Sequence, residues 1–221
     1  MKRILVGVGA VFGGLIVVFV IGGLLLPQSY QMERSIQVDA APSFAFAQVN
    51  NVKAWEAWSP WVKMDPTIQT TYGDKVVGQG ASYSWTGEAT GQGTLTITQS
   101  VEDKHLETRV EFVGMGTSYG SWDFEPSGDG TKVTWGFSGT ANGISGPWFN
   151  LMLDGMLGPQ FEDGLSGIKE LAETEAGKAA EQAKRLEAER QATDDDAAAD
   201  GGEAEAQPPK DAGTSRKSKG G

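Results

Sequence analysis

Ile4 to Leu26 is an unbroken run of 23 apolar and glycine residues without a charge, preceded only by Met1, Lys2 and Arg3. As a helix rising 1.5 Å per residue it reaches roughly 35 Å, enough to cross a hydrocarbon core of about 30 Å with some tilt. A buried helix of a soluble protein is rarely so apolar on every side. Lys2 and Arg3 are costly to translocate and are expected to stay cytoplasmic, which sends everything after Leu26 to the other face. The expectation is one transmembrane anchor over residues 1–26, with the N-terminus cytoplasmic and the globular part periplasmic or extracellular.

A cleaved secretory signal shares the basic start but has a shorter apolar run, about 7–15 residues, and a small-x-small cleavage site. The exit here, Leu24-Leu25-Leu26-Pro27-Gln28-Ser29-Tyr30, offers no such site, so an uncleaved anchor is the reading. The chain has no cysteine, which excludes a lipid-modified N-terminal cysteine and any disulfide. Gly9 and Gly13 form a small-xxx-small pair, a weak signal in so glycine-rich a run, and the oligomeric state stays open.

Beyond the anchor, composition divides the chain. Residues 27–174 are rich in tryptophan, threonine and glycine and long enough for one domain with a real core. Residues 175–192 are mostly alanine and charge and predict a solvated helical extension, whereas residues 193–221 lack the apolar groups to offset ordering and predict a disordered tail. The net charge of −11 and the absence of a basic stripe argue against nucleic acid as a partner. No repeat at periods of about 20–50 residues is visible.

Within the domain, Tyr30 to Val38 alternates as a first strand, Pro42 to Val49 fits a short helix, and Val52 to Trp58 a second one stopped by Ser59-Pro60. Short alternating runs follow, at Ile68–Tyr72, Ala81–Thr86, Gly91–Val101, His105–Val113, Thr117–Phe124 and Thr131–Gly139, separated by Gly, Asp or Asn turns. In the third of these, Leu95, Ile97 and Val101 are expected to face inward. Phe161, Leu165, Ile168 and Leu171 then recur at helical spacing, predicting a long closing helix that Pro159 kinks or breaks. The fold class is α+β: a curved antiparallel sheet of about seven strands around a long C-terminal helix, preceded by one transmembrane helix.

Several sequence words occur in the same order as in a known family. They are Ser35-Ile36-Gln37-Val38-Asp39-Ala40-Ala41-Pro42, Trp58-Ser59-Pro60-Trp61 with Asp65-Pro66, Gly80-Ala81-Ser82-Tyr83-Ser84-Trp85, Phe124-Glu125-Pro126 with Gly128-Asp129-Gly130-Thr131-Lys132-Val133-Thr134-Trp135, and Phe161-Glu162-Asp163-Gly164-Leu165. Over about residues 26–174 the chain resembles the SRPBCC superfamily, the START or polyketide cyclase/dehydrase-like helix-grip proteins, in a membrane-anchored bacterial branch. The resemblance implies a cavity between the sheet and the closing helix, in which relatives hold lipids, sterols, hormones or polyketides and a few catalyse cyclisation. It supplies no catalytic motif that transfers residue by residue, so it bears on the ligand class by fold analogy alone.

The residues themselves offer little chemistry. His105 is the only histidine and alternates with Glu107, Arg109 and Glu111 on a polar face, so it reads as a surface residue, and metal or nucleophile sites built on histidine or cysteine have little material. Glu162-Asp163 complements the start of a helix after Pro159, and Gly128 to Lys132 is a hairpin turn rather than a phosphate loop. Asp123 alternates toward solvent, and Tyr83 and Tyr119 could bring a hydroxyl to a cavity. No cofactor and no metal are expected. The expected ligand wall is Tyr83, Trp85, Leu95, Phe112, Trp122, Trp135, Phe137, Met152 and Met156, an apolar lining with few polar groups. The leading expectation is a non-enzymatic domain binding an apolar small molecule or lipid beside the membrane. Two alternatives are a cyclase- or dehydratase-type enzyme using Tyr83, Tyr119 or Asp123, and a protein-interaction module with a collapsed cavity.

Overall fold

Alternation of apolar and polar residues along seven short runs produces seven strands, and the long apolar helical row after them produces the element they wrap. The structure, a computed structural model, describes residues 2–201; the side chains at 2–6, 8–10 and 195–201 lie outside the described ones. In chain order the elements are α1 (Lys2–Leu25), β1 (Ser29–Val38), α2 (Pro42–Asn50), α3 (Trp55–Trp58), α4 (Pro60–Met64), β2 (Gln69–Tyr72), β3 (Ser82–Gly87), β4 (Gly91–Val101), β5 (His105–Phe112), β6 (Gly116–Ser127), β7 (Gly130–Thr140) and α5 (Gly146–Gly201). The strands form one antiparallel sheet in the order β1-β7-β6-β5-β4-β3-β2.

The three short helices between β1 and β2 carry the chain away, so β1 pairs with the last strand rather than the next one, from Ser29 opposite Thr140 to Val38 opposite Thr131. Pro42 starts α2 and Pro60 starts α4, positions where the missing proline N–H costs nothing. The expected second helix, Val52 to Trp58, is shortened to Trp55–Trp58, and Pro60 opens a further helix where it was expected only to end one.

β4 departs from its expected alternation. Its register with β5 shifts between Ile97 and Gln99, so Thr98 is a bulge residue that reverses which side chains face the core. Leu95 and Ile97 are buried, but Val101, expected to face inward, is exposed. Ser100 takes the inward parity and its hydroxyl donates to Asn50 Oδ1 at 2.8 Å.

On its concave side the sheet packs Val38, Trp85, Ile97, Leu106, Trp122, Phe124, Val133 and Trp135 against Phe161, Leu165, Ile168 and Ala172 of α5 and Phe46, Val49, Trp55 and Trp58 of the short helices. Aromatic contacts dominate: Trp135 stacks on both Trp122 and Phe161, and Trp58 meets Trp122 edge to face. α5 carries Pro159 in its interior as one continuous helix, so of the expected kink or break the break does not occur. Arg34 of β1 clamps that stretch, with Nη2 2.9 Å from Asp154 Oδ1 and Nε 3.1 Å from Glu162 Oε1. Gly158 permits the guanidinium to approach, since a Cβ there would lie 2.6 Å from Nη2.

The compact unit ends at Gly177, and a second unit begins at Lys178. Helix continues in that second unit as far as Gly201, with an Arg185–Glu181 pair one turn apart, and so covers the expected extension at 175–192. The expected tail at 193–221 is helical at its start, and residues 202–221 lie outside the described ones.

α1 is a 24-residue helix whose described side chains from Val11 to Leu25 are almost all exposed and apolar. Among the described residues no helix is long and apolar enough to cross a membrane, so the expected span is not found as such. With its first turns outside the described side chains, the remainder of α1 is shorter than the roughly 20 residues a span needs.

Candidate functional site

Pairing register decides where the concave side is filled and where it is hollow. Along β6 the inward positions run Ser118, Gly120, Trp122, Phe124, small residues at one end and the largest at the other. Their partners on β5 are Val110 opposite Ser118, Thr108 opposite Gly120 and Leu106 opposite Trp122. The Trp122 and Phe124 half is packed solid. At the Gly120 half the sheet stands back from α5 and leaves a cavity of about 440 Å3. That volume lies within the roughly 300–1,000 Å3 of small-molecule sites and does not fit a collapsed cavity.

Of the expected wall residues, Tyr83, Trp85, Leu95, Phe112, Trp135, Phe137 and Met156 line this cavity. Trp122 does not: it shares their face but sits in the packed half, fully buried. Met152 does not either, because the buried row of α5 runs Leu153, Leu157, Phe161, Leu165, and residue 152 lies about 100° around the helix from it, out on the surface. Not among the expected residues were Trp55, Glu56 and Trp61, which line the cavity from the short helices, and Tyr72, which lines it from the edge strand β2. The signal available was the proximity of Trp55, Trp58 and Trp61 in sequence.

Asp65 holds that side of the cavity in place. Its buried carboxylate accepts from Thr67 N and Oγ1 at 3.1 and 2.5 Å, and from Ala89 N, Thr90 N and Thr90 Oγ1 at 2.9 Å each. One side chain thereby ties the end of α4 to the β3–β4 turn, and Ala89 and Thr90 of that turn line the cavity. The hydroxyl of Thr67 above all, with the Thr90 and Ala89 donors, holds the carboxyl far below the usual aspartate range against the opposing effect of desolvation.

The polar groups in the cavity are few. Tyr72 donates its hydroxyl to Glu56 Oε1, and Lys53 Nζ lies 5.4 Å from the Tyr72 ring centroid. Burial pushes the phenol of Tyr83 well above its ordinary value, with a further push from Tyr72; burial and the Glu56 carboxylate do the same for Tyr72. Both tyrosines are therefore protonated at physiological pH and serve as hydrogen-bonding groups, not bases. Among the described residues, the Tyr83 hydroxyl has no protein hydrogen-bond partner. Tyr119 is exposed and Asp123 receives His105 Nδ1 at 2.7 Å on the outer face, so neither reaches the cavity. Among the described residues no group of three metal-ligating side chains forms.

Fold and cavity together define a helix-grip protein: an antiparallel sheet curved around a C-terminal helix, hollow at one end. The family described as "Polyketide cyclase / dehydrase and lipid transport" matches residues 29–173, and the chain belongs to it, within the SRPBCC superfamily. No curated protein matches the sequence. Among solved structures, a protein of unknown function from Staphylococcus aureus aligns with TM-score 0.54 at 10% identity, over 66% of this chain and 95% of that one. The di-domain ARO/CYC protein StfQ of the steffimycin biosynthetic pathway aligns with TM-score 0.53 at 14% identity, over 68% of this chain and 53% of that one. At such identities the likeness is one of fold.

Proposed function

We propose that this chain is a membrane-anchored, non-enzymatic domain that holds an apolar small molecule or lipid in the cavity between sheet and α5. The single observation that carries the reading is the cavity of about 440 Å3, walled by Trp55, Trp61, Trp85, Phe112, Phe137 and Leu95. Such a wall gains by shedding water onto an apolar guest, at roughly 25 cal/mol per Å2 covered. The anchor rests on the unbroken apolar run Ile4 to Leu26 and on the exposure of Phe12, Leu15, Ile16 and Val18, side chains that water does not accommodate at such density. With Lys2 and Arg3 cytoplasmic, the domain lies on the opposite side of the membrane.

Titration of the detergent-solubilised chain with a fluorescent long-chain fatty acid tests the reading. Saturable one-to-one binding is expected, and Val110→Trp, which fills the hollow end of the sheet, weakens it by about tenfold or more, equivalent to about 1.4 kcal/mol. Unsaturable partitioning, unchanged in a folded Val110→Trp variant, overturns it.

A cyclase- or dehydratase-type reading has one observation in its favour, the Glu56–Tyr72 pair and the Tyr83 hydroxyl at the same cavity. In that case Glu56→Gln abolishes turnover of an apolar polyketide while leaving its binding intact; in the binding reading no turnover exists to lose.

A further inference from the structure

Gly22 and Gly23, in the last turn of α1, are a docking notch for the start of α5. A Cβ on Gly22 would lie 2.2 Å from Trp148 Cζ2, and one on Gly23 would lie 2.2 Å from the Ile144 carbonyl oxygen. Into this notch Trp148 stacks on Phe19, centroids 5.7 Å apart and planes 12° apart, and its Nε1 donates to the Phe19 carbonyl at 3.0 Å. Asn150 Nδ2 donates to the carbonyls of Pro27 and Gln28 at 3.3 and 3.0 Å. The domain is thus not tethered beyond the anchor but seated against its flank. Phe19 lies six residues before Leu25, so the start of α5 overlaps α1 by about 9 Å of helix length.

The sheet register brings other parts to the same level. Ser29 pairs with Thr140, Ser118 with Gly139 and Phe112 with Gly116, so the β5–β6 turn projects from the sheet end nearest α1, whereas the β6–β7 turn at Asp129 lies at the opposite end beside Val38. This near end is apolar where water would be expected to demand polarity. Val113 and Met115 on the turn are 69% and 73% exposed, and Phe149, Met152 and Met156, at helical spacing on α5, are 48%, 63% and 49% exposed. Met115 and Met156 also line the cavity, so these exposed side chains of the turn and of the helix form part of its edge.

We infer that Val113, Met115, Phe149, Met152 and Met156 form a rim that seats in the lipid bilayer around α1, so that the cavity opens into the membrane rather than into water. This inference rests on the anchor reading: a helix embedded to Leu26 carries Trp148 and the first turns of α5 down to the level of the acyl chains. Depths of about 5–10 Å are those of interfacial apolar surfaces, and indole at the boundary is a usual anchor. A guest of the cavity on this account is a molecule dissolved in the bilayer, and it enters without crossing water.

Because the chain has no cysteine, single-cysteine variants can be labelled one site at a time with an environment-sensitive fluorophore. The full chain, reconstituted in phosphatidylcholine vesicles carrying a nitroxide-labelled lipid, is compared at Leu15→Cys, Met115→Cys, Met152→Cys and Asp129→Cys. Quenching at 15, 115 and 152, each several-fold above that at 129, supports the inference. Quenching at 15 with 115 and 152 as unquenched as 129 overturns it and leaves the anchor intact. Absence of quenching at 15 overturns the anchor reading and the rim with it. Blue-shifted but unquenched emission at 115 and 152 that depends on protein density shows a second copy on the rim, and equally overturns the inference.

Discussion

Trp55 of α3 and Trp122 of β6 meet edge to face at 6.0 Å, yet their indole nitrogens have different fates. Trp55 Nε1 donates to the Val49 carbonyl at 2.9 Å, whereas Trp122 Nε1 is buried with no partner among the described residues. Removing the second N–H therefore leaves nothing unpaired, while removing the first orphans a carbonyl beside buried Val49. Trp55→Phe should destabilise by about 1–2 kcal/mol more than Trp122→Phe in urea unfolding, although both remove the same atoms. Asp65 supplies a pH signature. Its carboxyl is held below the 3.8 of a free aspartate, so it stabilises the fold fully above that pH, and the contribution is lost as pH falls toward the lower folded value. Asp65→Asn should lower the urea midpoint at neutral pH and flatten its fall below about pH 4. His105 has the opposite sign. Burial lowers its affinity for a proton, but the hydrogen bond to Asp123, with Glu107 adding to it, wins and raises it above 6.5. Its stabilisation is present below 6.5 and fades as pH rises through the folded value, and as the only histidine its proton resonance can be followed without assignment.

Among the elements, α5 tolerates Pro159 at the cost of one hydrogen bond to the Gly155 carbonyl, in a stretch that the Arg34 clamp holds from the side. Pro159→Ala restores the donor at an exposed position and should raise stability by about 1–3 kcal/mol. The sequence predicted a kink or a break because proline disfavours helix interiors; the clamp, made by residues 120 and 128 positions away from Arg34, is invisible to local pattern. Likewise the alternation of β3, β5 and β6 shows which side chains face inward, but nothing marks Thr98 as a bulge, and Val101 was assigned to the wrong face. At the α1–α5 contact, Gly22→Val should expel the Trp148 indole and expose residues 141–150 to protease. The double variant Gly22→Val with Trp148→Ala removes the clash but not the loss of packing, so it should be cut no faster than Trp148→Ala alone.

At the level of the whole molecule, the curved sheet, the closing helix and most of the expected residues' place around the cavity were legible because they depend on periodicity. The position of the hollow was not, because it depends on which residue of β5 faces which residue of β6. Ser118 and Gly120 ahead of Trp122 and Phe124 spell out the open and closed halves only once that register is known. Trp122 was therefore placed one layer too far toward the cavity, and Met152 was placed in the wall although its side chain is exposed on the surface of α5. The central claim is that the hollow end carries an apolar guest drawn from the membrane. It is tested most directly by native mass spectrometry of the chain extracted from its own membrane in a lipid-retaining polymer and then stripped of bulk lipid. The account predicts one retained apolar molecule per chain, lost in Val110→Trp; wild-type chain recovered empty, or retaining the same adduct in a folded Val110→Trp variant, contradicts it.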